Sequence, residues 1–99
     1  MTDFRLGSYI FEWDDEKAAI NKKKHKLSFE VAAEVFLDEN YIEDFDELHS
    51  DDEDRSKIIG RVEKVLVVIY TERSERYRII SARPANKKER DKYYEQYRY

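Results

Sequence analysis

Apolar residues recur at helical spacing from Phe29 onward: Phe29, Ala32, Ala33 and Phe36 stand at i, i+3, i+4 and i+7. That stripe is what one face of an α-helix buries, and Ser28 just before it can cap the first turn. Tyr9 to Trp13 instead alternates aromatic and polar positions, the period of a short strand. Asp14 then caps a helix running to about His25. Asp15 and Glu16 lie on its first turn and Lys22, Lys23 and Lys24 on its last, each sign at the dipole end that favours it. Lys26 and Leu27 make a tight connection between the two helices.

Beyond Asp38 the pattern changes. Tyr41, Ile42, Phe45 and Leu48 are spaced through an acidic run, which predicts a short edge strand and an exposed loop. Ser56 to Val62 predicts a strand, and Gly60 inside it a bulge or a close backbone approach. Val65 to Tyr70 is apolar at every position, as a central strand covered on both faces would be. Arg76 to Arg83 is the last strand, and Pro84 cannot continue its ladder. Asn86 with Glu89 three residues later forms a capping-box pattern for a final helix, with Tyr93, Tyr94 and Tyr97 on one face as packing against the sheet. The order β-α-α-β-β-β-β-α predicts one α+β domain over residues 1–99, an antiparallel sheet flanked by helices.

Composition narrows the setting. The chain has no cysteine, hence no disulfide and no thiolate metal site. Met1 to Ile10 holds no apolar run of the signal-peptide kind, and Val65 to Tyr70 is too short to span a bilayer. A cytoplasmic protein without membrane contact is the expectation. The net charge of -4 conceals a division. Residues 1–54 hold 6 Lys/Arg against 17 Asp/Glu, a balance of -11; residues 55–99 hold 13 against 6, a balance of +7. An anionic partner such as nucleic acid would meet the second half, unless the two halves neutralise each other.

The candidate chemistry sits on the last strand and at the end of the first helix. By alternation, Tyr77, Ile79, Ser81 and Arg83 share one face and Arg76, Arg78, Ile80 and Ala82 the other. An aromatic, a hydroxyl and a guanidinium make a poor core and a fair binding surface. Guanidinium forks match phosphate oxygens and stay charged, so Arg83 suits a phosphoryl transition state; its structural alternative is an ion pair with an acidic residue of the first half. His25, beside Lys24 at a helix C-terminus, can carry protons near neutrality, or can simply bond a local carbonyl. His49 lies amid carboxylates and reads as surface. Glu53 and Asp54 could position Arg55, or Glu53 could act as a base. The acidic run with Asp51 and Asp52 lacks the glycine and the spacing of a calcium loop, so no metal is expected. Trp13 reads as a staple at the helix entry, with base stacking as the sharper alternative. The sequence has no P-loop, GxGxxG, HExxH or nucleophile elbow, which disfavours nucleotide-cofactor and triad enzymes.

Several segments together resemble the BrnT toxin family. Phe11-Glu12-Trp13-Asp14, Asn21, Lys24-His25 and Ser28-Phe29-Glu30 are similar to its opening, and Glu53-Asp54-Arg55 through Ile59-Gly60 to its acidic-Arg strand entry. Thr71-Glu72-Arg73 and Arg78-Ile79-Ile80-Ser81-Ala82-Arg83 are similar to its most characteristic block, and Lys88-Glu89-Arg90 with Tyr93-Tyr94-Glu95 to its last helix. The resemblance runs through nearly the whole chain in order. It implies a RelE-like fold and a metal-independent endoribonuclease without cofactor, the toxin of a type II toxin-antitoxin module. It also implies a BrnA-type ribbon-helix-helix antitoxin in a heterotetramer, with DNA met only through that antitoxin. Lys24, His25, Arg55, Arg73, Ser81 and Arg83 carry over as candidate catalytic residues, and Trp13 and Arg78 as RNA contacts. One departure is Lys26, where the family usually has Gly after the Lys-His pair. The competing reading, from another class, is a degenerate toxin that only binds a partner protein.

Overall fold

Apolar residues of the chain separate onto two faces of one sheet, and the computed structural model describes this arrangement for residues 1–45 and 55–98. His49, Glu53 and Asp54 and most of the acidic loop lie outside the described residues. Strands β1 (Thr2–Leu6) and β2 (Tyr9–Trp13) lead into helix α1 (Asp15–His25) and helix α2 (Phe29–Ala33), which continues as a 3-10 turn, Glu34–Leu37. Strands β3 (Ile42–Phe45), β4 (Ser56–Val62), β5 (Lys64–Arg73) and β6 (Arg76–Pro84) follow, then helix α3 (Lys87–Glu95) with a last 3-10 turn, Gln96–Arg98.

The expected α+β class holds, with two corrections to the sheet. There is one strand more than expected, because Thr2–Leu6 pairs with Tyr9–Trp13 around a two-residue turn. Gly7 supplies the positive φ of 60° that such a tight hairpin requires. The sheet is also mixed rather than antiparallel. Its order is β1-β2-β6-β5-β4-β3, and β2 runs parallel to β6 through Phe11↔Tyr77 and Glu12↔Arg78. That pairing is short because the chain leaves β2 at Trp13 into α1, which packs beside the rest of β6.

Capping follows the sequence. The Asp14 carboxylate accepts from the Lys17 amide at 2.9 Å, and the Ser28 hydroxyl from the Val31 amide at 3.1 Å. Lys26 adopts the left-handed C-cap itself, at φ 59°, and its amide donates to the Lys22 carbonyl at 2.8 Å. Helix α1 has little apolar grip, since Asn21 is its one buried residue. The Asn21 amide donates to the Leu27 carbonyl at 3.2 Å while its oxygen accepts from the Ala82 amide at 3.1 Å. One side chain thus pins the end of α1 to β6 beyond the short stretch that β2 covers.

The first core joins Phe11, Trp13, Phe29, Phe36, Ile58 and Leu66, among others, beneath α2. Gly60 fits its predicted close approach: a Cβ there would lie 2.5 Å from Val35 Cγ1. On the opposite face Ile59, Val65, Val67 and Ala85 pack against Tyr93 of α3. Tyr93 alone of the three tyrosines is buried; Tyr94 and Tyr97 contact it by their ring edges but stay exposed, so the expected packing stripe is one residue wide.

Candidate active site

A bulge in β6 decides where its side chains point. Ile69 pairs with Ser81 and Tyr70 with Ile79, which leaves Ile80 as the extra residue. Tyr77 and Ile79 join the first core before the bulge, and Ala82 joins the same core after it. Ser81 and Arg83 stand opposite Ile69 and Val67, on the α3 face. The expected grouping of Tyr77 and Ile79 with Ser81 and Arg83 is therefore corrected: Arg76 and Arg78 share the face of Ser81 and Arg83, and the aromatic and aliphatic residues go to the core.

That face carries most of the candidate cations. Arg78 lies between Glu12 and Thr71 in the ladder, and its Nε and Nη2 donate to Glu12 Oε2 at 2.8 and 2.6 Å. Arg76 pairs with Asp3 at 3.0 Å, and Arg73 stands directly opposite Arg76 across the β5–β6 turn. Arg55 immediately precedes β4, two positions before Lys57. The structure thus assembles Arg73, Arg76, Arg78, Ser81 and Arg83 on one surface, with Lys57 beside them.

Arg83 pairs with a carboxylate of its own half. Its Nη1 and Nη2 donate to Glu89 Oε1 and Oε2 of α3 at 2.7 and 2.8 Å, a bidentate fork. Lys57 reaches Glu89 Oε2 from β4 at 2.9 Å. The same carboxylate closes the capping box, accepting from the Asn86 amide at 2.9 Å. These donors, the Arg83 guanidinium foremost, hold the Glu89 carboxyl down to about 2 in spite of its burial. Sequence patterning identified Glu89 only as a cap and missed Lys57. The one signal for Lys57 is a cation two residues before Ile59 on a strand otherwise apolar in its middle.

The first helix contributes from the side. Lys24 and His25 line a shallow recess of about 230 Å³ together with Asn21, Ile80 and Ser81. Ser81 is therefore the residue where the helix-end candidates and the strand candidates meet. Trp13 is not part of this assembly. It is 3% exposed and wedged between Phe4 and Phe29, with ring centroids 5.7 Å from each. Stacking on a base needs an open ring face, so the RNA-contact role for Trp13 is corrected to that of a core staple. Among the described residues no group of three His, Asp or Glu side chains could hold a metal ion. Nor, among the described residues, is any helix long and apolar enough to cross a membrane.

Residues 13–89 match the family model of the ribonuclease toxin BrnT of type II toxin-antitoxin systems. The chain belongs to the BrnT family. Its fold, a mixed six-stranded sheet with three helices, is similar to the crystal structure of the Brucella abortus ribonuclease toxin BrnT. The two share 26% identity at a TM-score of 0.63, over 78% of this chain and 96% of that one. No curated protein matches the chain. The BrnT match begins at Trp13 and ends at Glu89, so it contains α1, the whole of β4 to β6 and the Glu89 carboxylate, while β1 lies outside it. As a member of a type II toxin family, the chain has an antitoxin as its partner.

Proposed function

We propose that this BrnT protein is a metal-independent endoribonuclease whose site is the arginine-bearing face of β6. The RNA 2′-hydroxyl attacks the adjacent phosphorus and the P–O5′ bond breaks, leaving a 2′,3′-cyclic phosphate and a 5′-hydroxyl, while Arg83 with Arg55 or Arg73 stabilises the charge that builds on the phosphorane. Lys24 or His25 moves protons beside Ser81, and Arg78 binds the RNA backbone. The observation that carries this reading is the convergence of Arg73, Arg78, Ser81 and Arg83 on one sheet face in a ribonuclease-toxin family member. Lys24 and His25 border that face at Ser81.

The rest of the proposal follows the family. The 99 residues act as one cytoplasmic domain of RelE-like fold. A BrnA-type ribbon-helix-helix antitoxin neutralises it in a heterotetramer, and DNA is met only through that antitoxin. Purified protein incubated with RNA in chelator is expected to cleave it, and expression without the antitoxin to arrest growth. Arg83→Ala is expected to abolish both while the protein stays folded. Intact RNA together with normal growth would refute the enzyme, and a fully toxic Arg83→Ala would refute the site.

One observation favours the competing reading of a binding-only relic: Arg78 and Arg83 are already engaged by Glu12 and Glu89. Salt titration separates the two, because contacts to RNA phosphates give an affinity that falls steeply with salt and a protein-only binder gives none.

A further inference from the structure

We propose that Glu89 is a positioning residue for RNA cleavage: its carboxylate ties Arg83 of β6 and Lys57 of β4 into one oriented cation pair, in which Lys57 is a second phosphate contact. The inference rests on the site proposed for Arg83 and goes beyond it by adding two residues.

The geometry is specific. β4 and β6 are separated by β5, so the backbones of Lys57 and Arg83 lie on the order of 10 Å apart. Left alone, two cations would diverge. Glu89 draws both heads over the central strand, where Arg83 stands opposite Val67 and Lys57 opposite Ile69. Nitrogens of both residues share the one oxygen Oε2, at 2.8 and 2.9 Å. A helix cap needs a single acceptor contact, and the Asn86 amide supplies it; the three further bonds to Arg83 and Lys57 are more than capping requires. Exposure also follows this division, since the Glu89 side chain is 8% exposed while Arg83 is 39% and Lys57 22%. The carboxylate is sunk and the two cationic side chains reach further toward solvent, over an apolar floor.

Glu89 itself is no proton carrier. A carboxyl held near 2 stays ionised at every pH where the toxin would work and has no proton to give. Its part is to fix the guanidinium plane, where a misplacement of an ångström costs catalysis on the order of a hundredfold.

Cleavage of a fluorescent RNA oligonucleotide in chelator, with kcat and KM read separately, tests this on the wild type, Glu89→Gln, Lys57→Met and Arg83→Ala. Glu89→Gln is expected to lose roughly tenfold to a hundredfold in kcat without a rise in KM, because a negative charge has left the face while the arginine has lost its orientation. A residue that served only the fold would instead lower the folded fraction and leave kcat per folded molecule unchanged. Lys57→Met is expected to flatten the slope of log affinity against log salt by about 0.7, the contribution of one phosphate contact on single-stranded RNA. An unchanged kcat in folded Glu89→Gln overturns the positioning role. If that variant does not fold, an unchanged salt slope in Lys57→Met overturns the cation pair by itself. Full activity of Arg83→Ala, by contrast, refutes the underlying site, and absence of wild-type cleavage refutes the enzyme.

Discussion

Glu89 is the residue whose ionisation says most about the molecule. In the unfolded chain it binds a proton near its ordinary value of 4.5, and in the folded chain only near 2, chiefly because of Arg83. A depressed carboxyl contributes stability above its unfolded value and loses it as pH falls through its folded one. The expected outcome is a melting temperature that drops between about pH 5 and pH 2, with on the order of 3 kcal/mol at stake in this group. Thermal melts across that range check it, and Glu89→Gln is expected to show a flatter profile; parallel curves for the two proteins would refute the assignment. Lys26 is the converse case, a residue that costs stability. It holds a left-handed cap where glycine would be free of strain, and for an L-residue that conformation costs roughly 1–2 kcal/mol. The cap nonetheless forms, and it leaves Lys24 and His25 beside Ser81.

At the scale of elements, Gly60 shows how tightly the 3-10 turn after α2 sits on β4. Gly60→Ala would drive a methyl into Val35, and the expected loss is about 1–3 kcal/mol, read as a shift in the denaturation midpoint. A variant as stable as the wild type would mean that Val35 gives way. Elements whose signal is local were legible in the sequence: the Phe29 stripe, the Asp14 and Ser28 caps, the Asn86–Glu89 box and the apolar β5 all stand where patterning put them. Strand β1 was legible in principle, since Phe4 and Leu6 alternate with Asp3 and Arg5 before the Gly7-Ser8 turn, but one partly polar strand gives little to read. The parallel β2–β6 pair and the bulge at Ile80 had no local signal at all. Both arise where distant segments meet, and with them went the correct face of Ser81 and Arg83 and the relevance of Lys57.

Across the whole molecule, the charge imbalance seen along the sequence becomes partly neutralised in space. Asp3 and Glu12 of the first half take up Arg76 and Arg78, and Asp44 takes up Lys92 at 2.9 Å. Lys57 and Arg83 share a carboxylate from their own half. An antitoxin that masks this face is expected to present an acidic segment, and mapping the interface by hydrogen exchange checks it. Protection confined to the acidic segment at 38–54 would contradict it. The bulge at Ile80 has a further consequence, in genetic terms. A regular strand tolerates almost any substitution more readily than a change in its count, because one residue fewer turns everything beyond it over. A bulge holds the one residue that can go: loss of the single codon for Ile80 would close the ladder and leave Ser81 and Arg83 opposite Ile69 and Val67, with Ala82 still in the first core. One codon lost there is expected to cost far less than one inserted on either side, where the pleat has no slack left to take it up.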